Sequence, residues 1–182
     1  MNEQNKDQVQ DPHAQARAQE LGQMRAELAR LTAGHKVLEL GCGSGGSGEA
    51  MVPGATCVVA TGPADLPEQL GGFGAVFMGF GWSRLLRDEQ EPFLKQLRAR
   101  VGKDVLLVLL DDAYVEGSSP TIARTDAHGN TYHVVSTPEG AQAELPKCYP
   151  TDSTLRKRLA NTVREIKIQR GEYYWLLSCR LK

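Results

Sequence analysis

Three groups of residues in this 182-residue chain carry side chains or spacings suited to chemistry. The first is KVLELGCGSGGSGEAMVPG, residues 36–54, where an apolar run meets Glu39 and then a burst of glycines. Glycine lacks a Cβ and tolerates positive φ, so such a loop lets backbone N–H groups approach a ligand. The second is Asp111 and Asp112, which close the apolar run VLLVLL and are followed by Tyr114, Glu116, Ser118 and Ser119. Ligands of open α/β sheets bind beyond the carboxyl ends of the strands, so these residues are candidates to line a pocket, with simple capping as the alternative. The third is the pair His128 and His133 in HGNTYH, flanking a Gly129-Asn130 turn. That spacing favours a solvated pair on a β-ribbon over a metal site.

The glycines alone do not name a ligand. Gly41, Gly43 and Gly46 fit GxGxxG, and so do Gly43, Gly45 and Gly48. No lysine follows them, which excludes a phosphate loop of the GxxxxGK[ST] kind. Cys42 has no histidine near it in sequence and reads as a small packed residue rather than a nucleophile. The four cysteines form no CxxC pair and no metal-ligand spacing, and read as reduced, packed thiols.

The elements that position these residues follow from periodicity. Residues 1–12 are polar, end in Asp-Pro, and read as a disordered N-terminus; 13–182 read as one domain. A helix is expected from Ala14 to just before Gly34, with Leu21, Met24, Leu28 and Leu31 on one stripe. Strands are expected at Val37–Leu40, Ala55–Ala60, Ala75–Phe80 and Val105–Leu110, the last the most apolar and therefore central. A helix over 88–101 precedes that strand. The polar stretch after Asp112 should hold a β-ribbon around Thr131–Ser136, then a helix over Asp152–Ala160. Val163–Gln169 and Glu172–Leu181 should finish the chain as an antiparallel pair joined near Gly171. Alternating strands and helices closed by such a pair predict a three-layer α/β sandwich.

VLELGCGSG also resembles motif I of the class I S-adenosylmethionine-dependent methyltransferases, in which ExGxGxG joins the first strand to the first helix. FGAVFMGFGWSRL resembles that family's fourth strand, and FLKQLRARVGKDVLLVLLDD its helix, turn and fifth strand. DAYVEGSSPTIARTDAHGNTY, LPKCYPTDSTLRKRLA and EYYWLLSCRL resemble the C-terminal half of a bacterial small-molecule subgroup. The resemblance spans about residues 36–182 and implies a Rossmann-like sandwich, mostly parallel, with an antiparallel C-terminal strand. It implies methyl transfer from S-adenosylmethionine to a small-molecule nucleophile. On that reading Glu39, Gly41, Gly43 and Gly45 cradle the cofactor, with Asp65 as a substitute acid. Asp111, Tyr114 and His128 are then the candidates for substrate contact or base.

The chain also departs from the family's pattern. Only 27 residues separate Gly45 from Phe73, room for one strand and a turn or two of helix where the family has two strands and two helices. One βα unit is expected to be missing. The acid that grips the ribose at the end of the second strand falls on Ala60, Thr61 or Gly62, none of them acidic, and Gly74 replaces the aspartate of FDAV. These losses motivate a different reading: a methyltransferase-fold protein that no longer methylates and serves as a binding or assembly partner, or runs other chemistry. Nicotinamide binding, with Asp65 as the ribose acid, is a third and weaker reading. A net charge of −1 and the lack of an apolar segment near ~20 residues point away from nucleic-acid and membrane partners. The polar N-terminus lacks a signal-peptide core, so a cytoplasmic location is expected. A homodimer could complete the shortened sheet edge.

Overall fold

The computed structural model describes residues 11–41, 50–59, 65–68 and 70–182. The disorder expected for residues 1–10 and the remainder of the glycine loop, including Gly43 and Gly45, lie outside them. The described chain runs α1 (Ala14–Thr32), β1 (Val37–Leu40), β2 (Thr56–Val58), β3 (Ala75–Gly79), a 3-10 turn (Trp82–Arg84), α2 (Gln90–Val101) and β4 (Leu106–Asp112). It continues through β5 (Arg124–Thr125), β6 (Thr131–Ser136), β7 (Gln142–Pro146), α3 (Asp152–Leu159), β8 (Val163–Arg170) and β9 (Tyr174–Leu181).

Six strands form one sheet in the order β2-β1-β3-β4-β9-β8. The pairs β1/β2, β1/β3 and β3/β4 are parallel, while β9 runs antiparallel to both β4 and β8. Strand periodicity then divides the core in two, because successive side chains point to opposite faces. Leu38, Leu40, Val76, Met78, Leu107, Leu109, Trp175 and Leu177 pack on one face under α2 and α3. Val37, Ala75, Phe77, Leu106, Val108, Leu110 and Leu176 pack on the other with Met24 and Leu28 of α1. The result is the three-layer sandwich that the alternation predicts, with β4 central.

Between β1 and β3 the described residues hold one strand, β2. It is only three residues long, against the six expected, and Thr56 and Cys57 are exposed. Cys57 is disulfide-bonded, which corrects the reading of all four cysteines as thiols; Cys148 and Cys179 are free and buried. The ribbon is a separate three-stranded antiparallel sheet, β5-β6-β7, rather than a simple hairpin.

Two polar anchors set the elements that frame the site. The Glu20 carboxylate of α1 accepts from the backbone N–H groups of Glu172, Tyr173 and Tyr174 at 2.8–3.0 Å, fixing the helix to the β8–β9 turn. The Asp126 carboxylate accepts from His128 N, Asn130 N, Asn130 Nδ2 and Tyr132 Oη, closing the turn that leads into β6. Those bonds, led by the Asn130 side chain, lower the Asp126 pKa to about 2.

Candidate functional site at the carboxyl edge of the sheet

β1, β3 and β4 are parallel, so their carboxyl ends lie along one edge of the sheet. β1 ends in Glu39-Leu40-Gly41. Gly41 has φ +76°, a conformation open to glycine at little cost, and its N–H donates to Val58 O at 2.9 Å. The Glu39 side chain is 3% exposed and accepts from Met51 N at 2.9 Å and Val52 N at 3.0 Å. It therefore ties the chain that leaves the glycine loop back to the strand that enters it.

β3 ends in Gly79-Phe80-Gly81, with Phe80 at φ +56°. For an aromatic residue this is a strained backbone conformation, tolerated where surrounding contacts over-determine it. Here the Phe80 N–H donates to Leu110 O at 2.8 Å, and the ring meets Tyr174 edge-on with centroids 6.0 Å apart. Strain of this kind concentrates at ligand sites, and this instance sits on the edge where a sheet of this topology binds.

β4 ends in the two aspartates. Asp111 is 0% exposed and accepts from Ser83 N, Ser83 Oγ, Asp112 N and Lys147 Nζ, at 2.8–3.0 Å. Lys147 also reaches Asp112 Oδ2 at 2.5 Å, and Arg17 of α1 lies 3.6 Å from Asp112 Oδ1. Arg17 donates in turn to Ser118 Oγ at 2.9 Å. Burial disfavours the Lys147 ammonium, but the charges of Asp111 and Asp112 outweigh it and raise the pKa, so the lysine stays protonated. A buried lysine and aspartate thus clamp the ribbon, through β7, to the centre of the sheet.

Tyr114 stands just outside this clamp, 41% exposed, with its hydroxyl donating to Glu116 Oε2 at 2.9 Å. Its ring meets Tyr149 edge-on at 5.3 Å, and Lys147 Nζ lies 6.0 Å from the Tyr149 ring centroid. Asp111 and Tyr114 therefore belong to one neighbourhood. His128 is exposed at the ribbon turn, and among the described residues no hydrogen bond or ring contact joins its side chain to either. Asp65 is exposed, one residue before the buried Leu66.

Lys147 escapes sequence reading because its partner Asp111 lies 36 positions away and a lone lysine in LPKCYP carries no periodic signal. Among the described residues no group of three or more His, Cys, Asp or Glu side chains could hold a metal ion, and no helix is long and apolar enough to cross a membrane.

No family model and no curated protein sequence matches the chain. Solved structures do. DhpI in complex with SAH is 16% identical, with a TM-score of 0.61 over 92% of this chain and 88% of that one. PH0226 from Pyrococcus horikoshii OT3 is 13% identical, with a TM-score of 0.65 over 94% of each chain. The glycopeptide N-methyltransferase MtfA, complexed with (S)-adenosyl-L-homocysteine, is 14% identical, with a TM-score of 0.53 over 96% of this chain and 99% of that one. At such identities what is shared is the fold, the Rossmann-like α/β sandwich of the S-adenosylmethionine-dependent methyltransferases.

Proposed function

We propose that this chain, built on the methyltransferase fold, transfers a methyl group from S-adenosylmethionine to a nucleophilic atom of a small molecule. The observation that carries the reading is the carboxyl end of β1. There Glu39 anchors the far side of a glycine loop, and Gly41 takes the positive φ that opens it, beside the clamped ends of β3 and β4. Neighbours that share the fold are described as complexes with S-adenosylhomocysteine, which supports the assignment of the ligand class.

The residues fit such a cofactor in kind. Gly41 takes a positive φ, the sequence adds glycines at 43 and 45, and Glu39 ties Met51 and Val52, beyond the loop, to β1. When bound, the cofactor supplies an electrophilic sulfonium methyl. Methyl transfer of this type is an in-line displacement that depends chiefly on positioning and exclusion of water. The Phe80 and Tyr174 rings, packed edge-on, brace the end of β3 against the start of β9. Asp111 has its lone pairs committed to four donors, so its role is to position β4, the Trp82–Arg84 turn and Lys147 rather than to take a proton. Tyr114 is the residue we assign to acceptor contact: its hydroxyl is partly exposed, and Glu116 accepts its proton in a hydrogen bond.

Melting with S-adenosylmethionine, S-adenosylhomocysteine and NAD tests the assignment. A ligand at 100 times its dissociation constant adds about 2.7 kcal/mol of stability. The account expects a rise with the first two and none with NAD. Unchanged melting in all three supports the second reading, a binding or assembly protein on the same fold, which the absence of an acid at Ala60, Thr61 and Gly62 favours.

A further inference from the structure

Beside the carboxyl-edge site, with Tyr149 shared between them, the start of α2, α3 and the ribbon turn enclose a cavity of about 210 Å³ that continues into a more open cleft of about 380 Å³. Arg87, Gln90, Thr154 and Arg158 line both parts, and Trp82 and Tyr149 wall the inner one. Two features of this cavity are unexplained by the fold. The first is a pair of guanidinium groups without carboxylates. Among the described residues neither Arg87 nor Arg158 forms an ion pair. Glu91, at the rim, is paired with Lys95 at 2.7 Å. Burial, and after it the charge of Arg87, lower the Arg158 pKa, with Cys148 opposing them.

The arginines are held in place by the fold. Arg158 Nη1 donates to Arg87 O at 3.1 Å, Arg87 N donates to Asn130 Oδ1 at 2.9 Å, and Arg87 Nη1 donates to His128 O at 3.1 Å. The Arg87 guanidinium lies against the bare α-carbon of Gly129, where a Cβ would come within 2.8 Å of Cζ. The turn that Asp126 closes thus presents a glycine to seat an arginine.

The second feature is Gln90, which is 6% exposed. Its Nε2 donates to Leu85 O at 3.3 Å, while its Oε1 is buried without a hydrogen-bond partner. Reversing the amide would set two carbonyl-type oxygens together, so the unpaired atom is the acceptor oxygen, buried beneath the cavity floor. An unpaired buried acceptor is destabilising unless something donates to it.

From these groups we infer a binding site for a small phosphomonoester, its oxyanion between Arg87 and Arg158 and its organic part against Tyr149, above the buried Gln90. Two guanidinium groups match phosphate oxygens, and two cations without carboxylates favour the doubly charged form of the ester. The site is separate from the methyl-transfer reading and holds whether or not the chain binds S-adenosylmethionine.

The test is an NMR titration of the full chain with phenyl phosphate, and with phenyl sulfate as the singly charged ester of similar shape, above pH ~7 where the phosphate is mostly a dianion. Phenyl phosphate should shift the backbone amides of Arg87, Gln90, Thr154 and Arg158 and saturate. Arg158→Gln should weaken it about tenfold or more through loss of a charge-assisted bond. Phenyl sulfate should bind the unsubstituted chain more weakly, and Arg158→Gln should narrow that difference while leaving a dispersed spectrum. No shifts at millimolar phenyl phosphate, equal binding by folded Arg158→Gln, or equal binding of the two esters would overturn the proposal.

Discussion

Lys147 Nζ stands 3.0 Å from Asp111 Oδ1 in the interior, with Asp111 fully buried and Lys147 8% exposed. The bond joins the end of the ribbon to the central strand, and the loss of Lys147 leaves the buried Asp111 carboxylate without a countercharge. Lys147→Met should therefore destabilise the protein by about 3–5 kcal/mol, whereas Lys147→Met with Asp111→Asn should recover part of that loss. Urea denaturation of the two variants checks this; equal loss in both would show that the charges do not couple.

Alkaline pH should weaken the fold through two groups acting in the same direction. Burial pushes the Cys179 thiol from 9.0 up to about 12. The unfolded chain ionises first, so this contribution is complete below pH 9.0 and is lost as pH climbs toward about 12. Each such group changes stability by at most about 1.4 kcal/mol per pH unit. The Lys147 pKa is raised above 10.5, so its contribution is likewise present below that value and lost above it. Cys179→Ala should flatten the stability–pH curve above 9.0, the ordinary value of that thiol; an unchanged slope would contradict the burial argument.

Glu39→Gln tests the loop anchor. The substitution turns one of two acceptors into a donor facing Met51 N or Val52 N, with both bonds now at 2.9–3.0 Å. A loss of about 1–3 kcal/mol in stability is expected, with weaker S-adenosylhomocysteine binding beside it. Calorimetry on the purified variant separates the two effects. Undiminished affinity would mean that the anchor does not shape the loop.

Much of this arrangement is legible in the sequence because it is local. The near-continuous apolar runs of Val37–Leu40, Leu106–Asp112 and Tyr174–Leu181 mark strands buried on both faces, and the stripe through Met24 and Leu28 points α1 inward. β7 is not legible: Gln142–Pro146 is polar and ends in a proline, and it forms only by pairing with β6. The break in β8 at Glu165, φ +59°, is likewise a matter of register against β9 rather than of composition. The same limit applies at the site. Glu39 and Asp111 are recognisable by their place at strand ends, but the amides and the lysine that engage them come from positions 12 to 36 residues away.

Gly74, where the related pattern has aspartate, illustrates how a substitution is absorbed nearby. A Cβ there would lie 2.6 Å from His35 Nδ1, but His35 is exposed and free to turn. Gly74→Ala should thus cost under about 1 kcal/mol, and adding His35→Ala should abolish even that. Thermal melting of the pair checks it; a large loss that His35→Ala fails to relieve would place the constraint in the backbone instead.

The central claim concerns where a cofactor binds. An NMR titration of the labelled chain with S-adenosylhomocysteine addresses it residue by residue. Saturable shifts are predicted at Gly41, at Phe80 and Gly81, and at Asp112 and Tyr114, the carboxyl ends of β1, β3 and β4. A spectrum unmoved at millimolar ligand, or shifts confined to residues remote from that edge, would contradict the account.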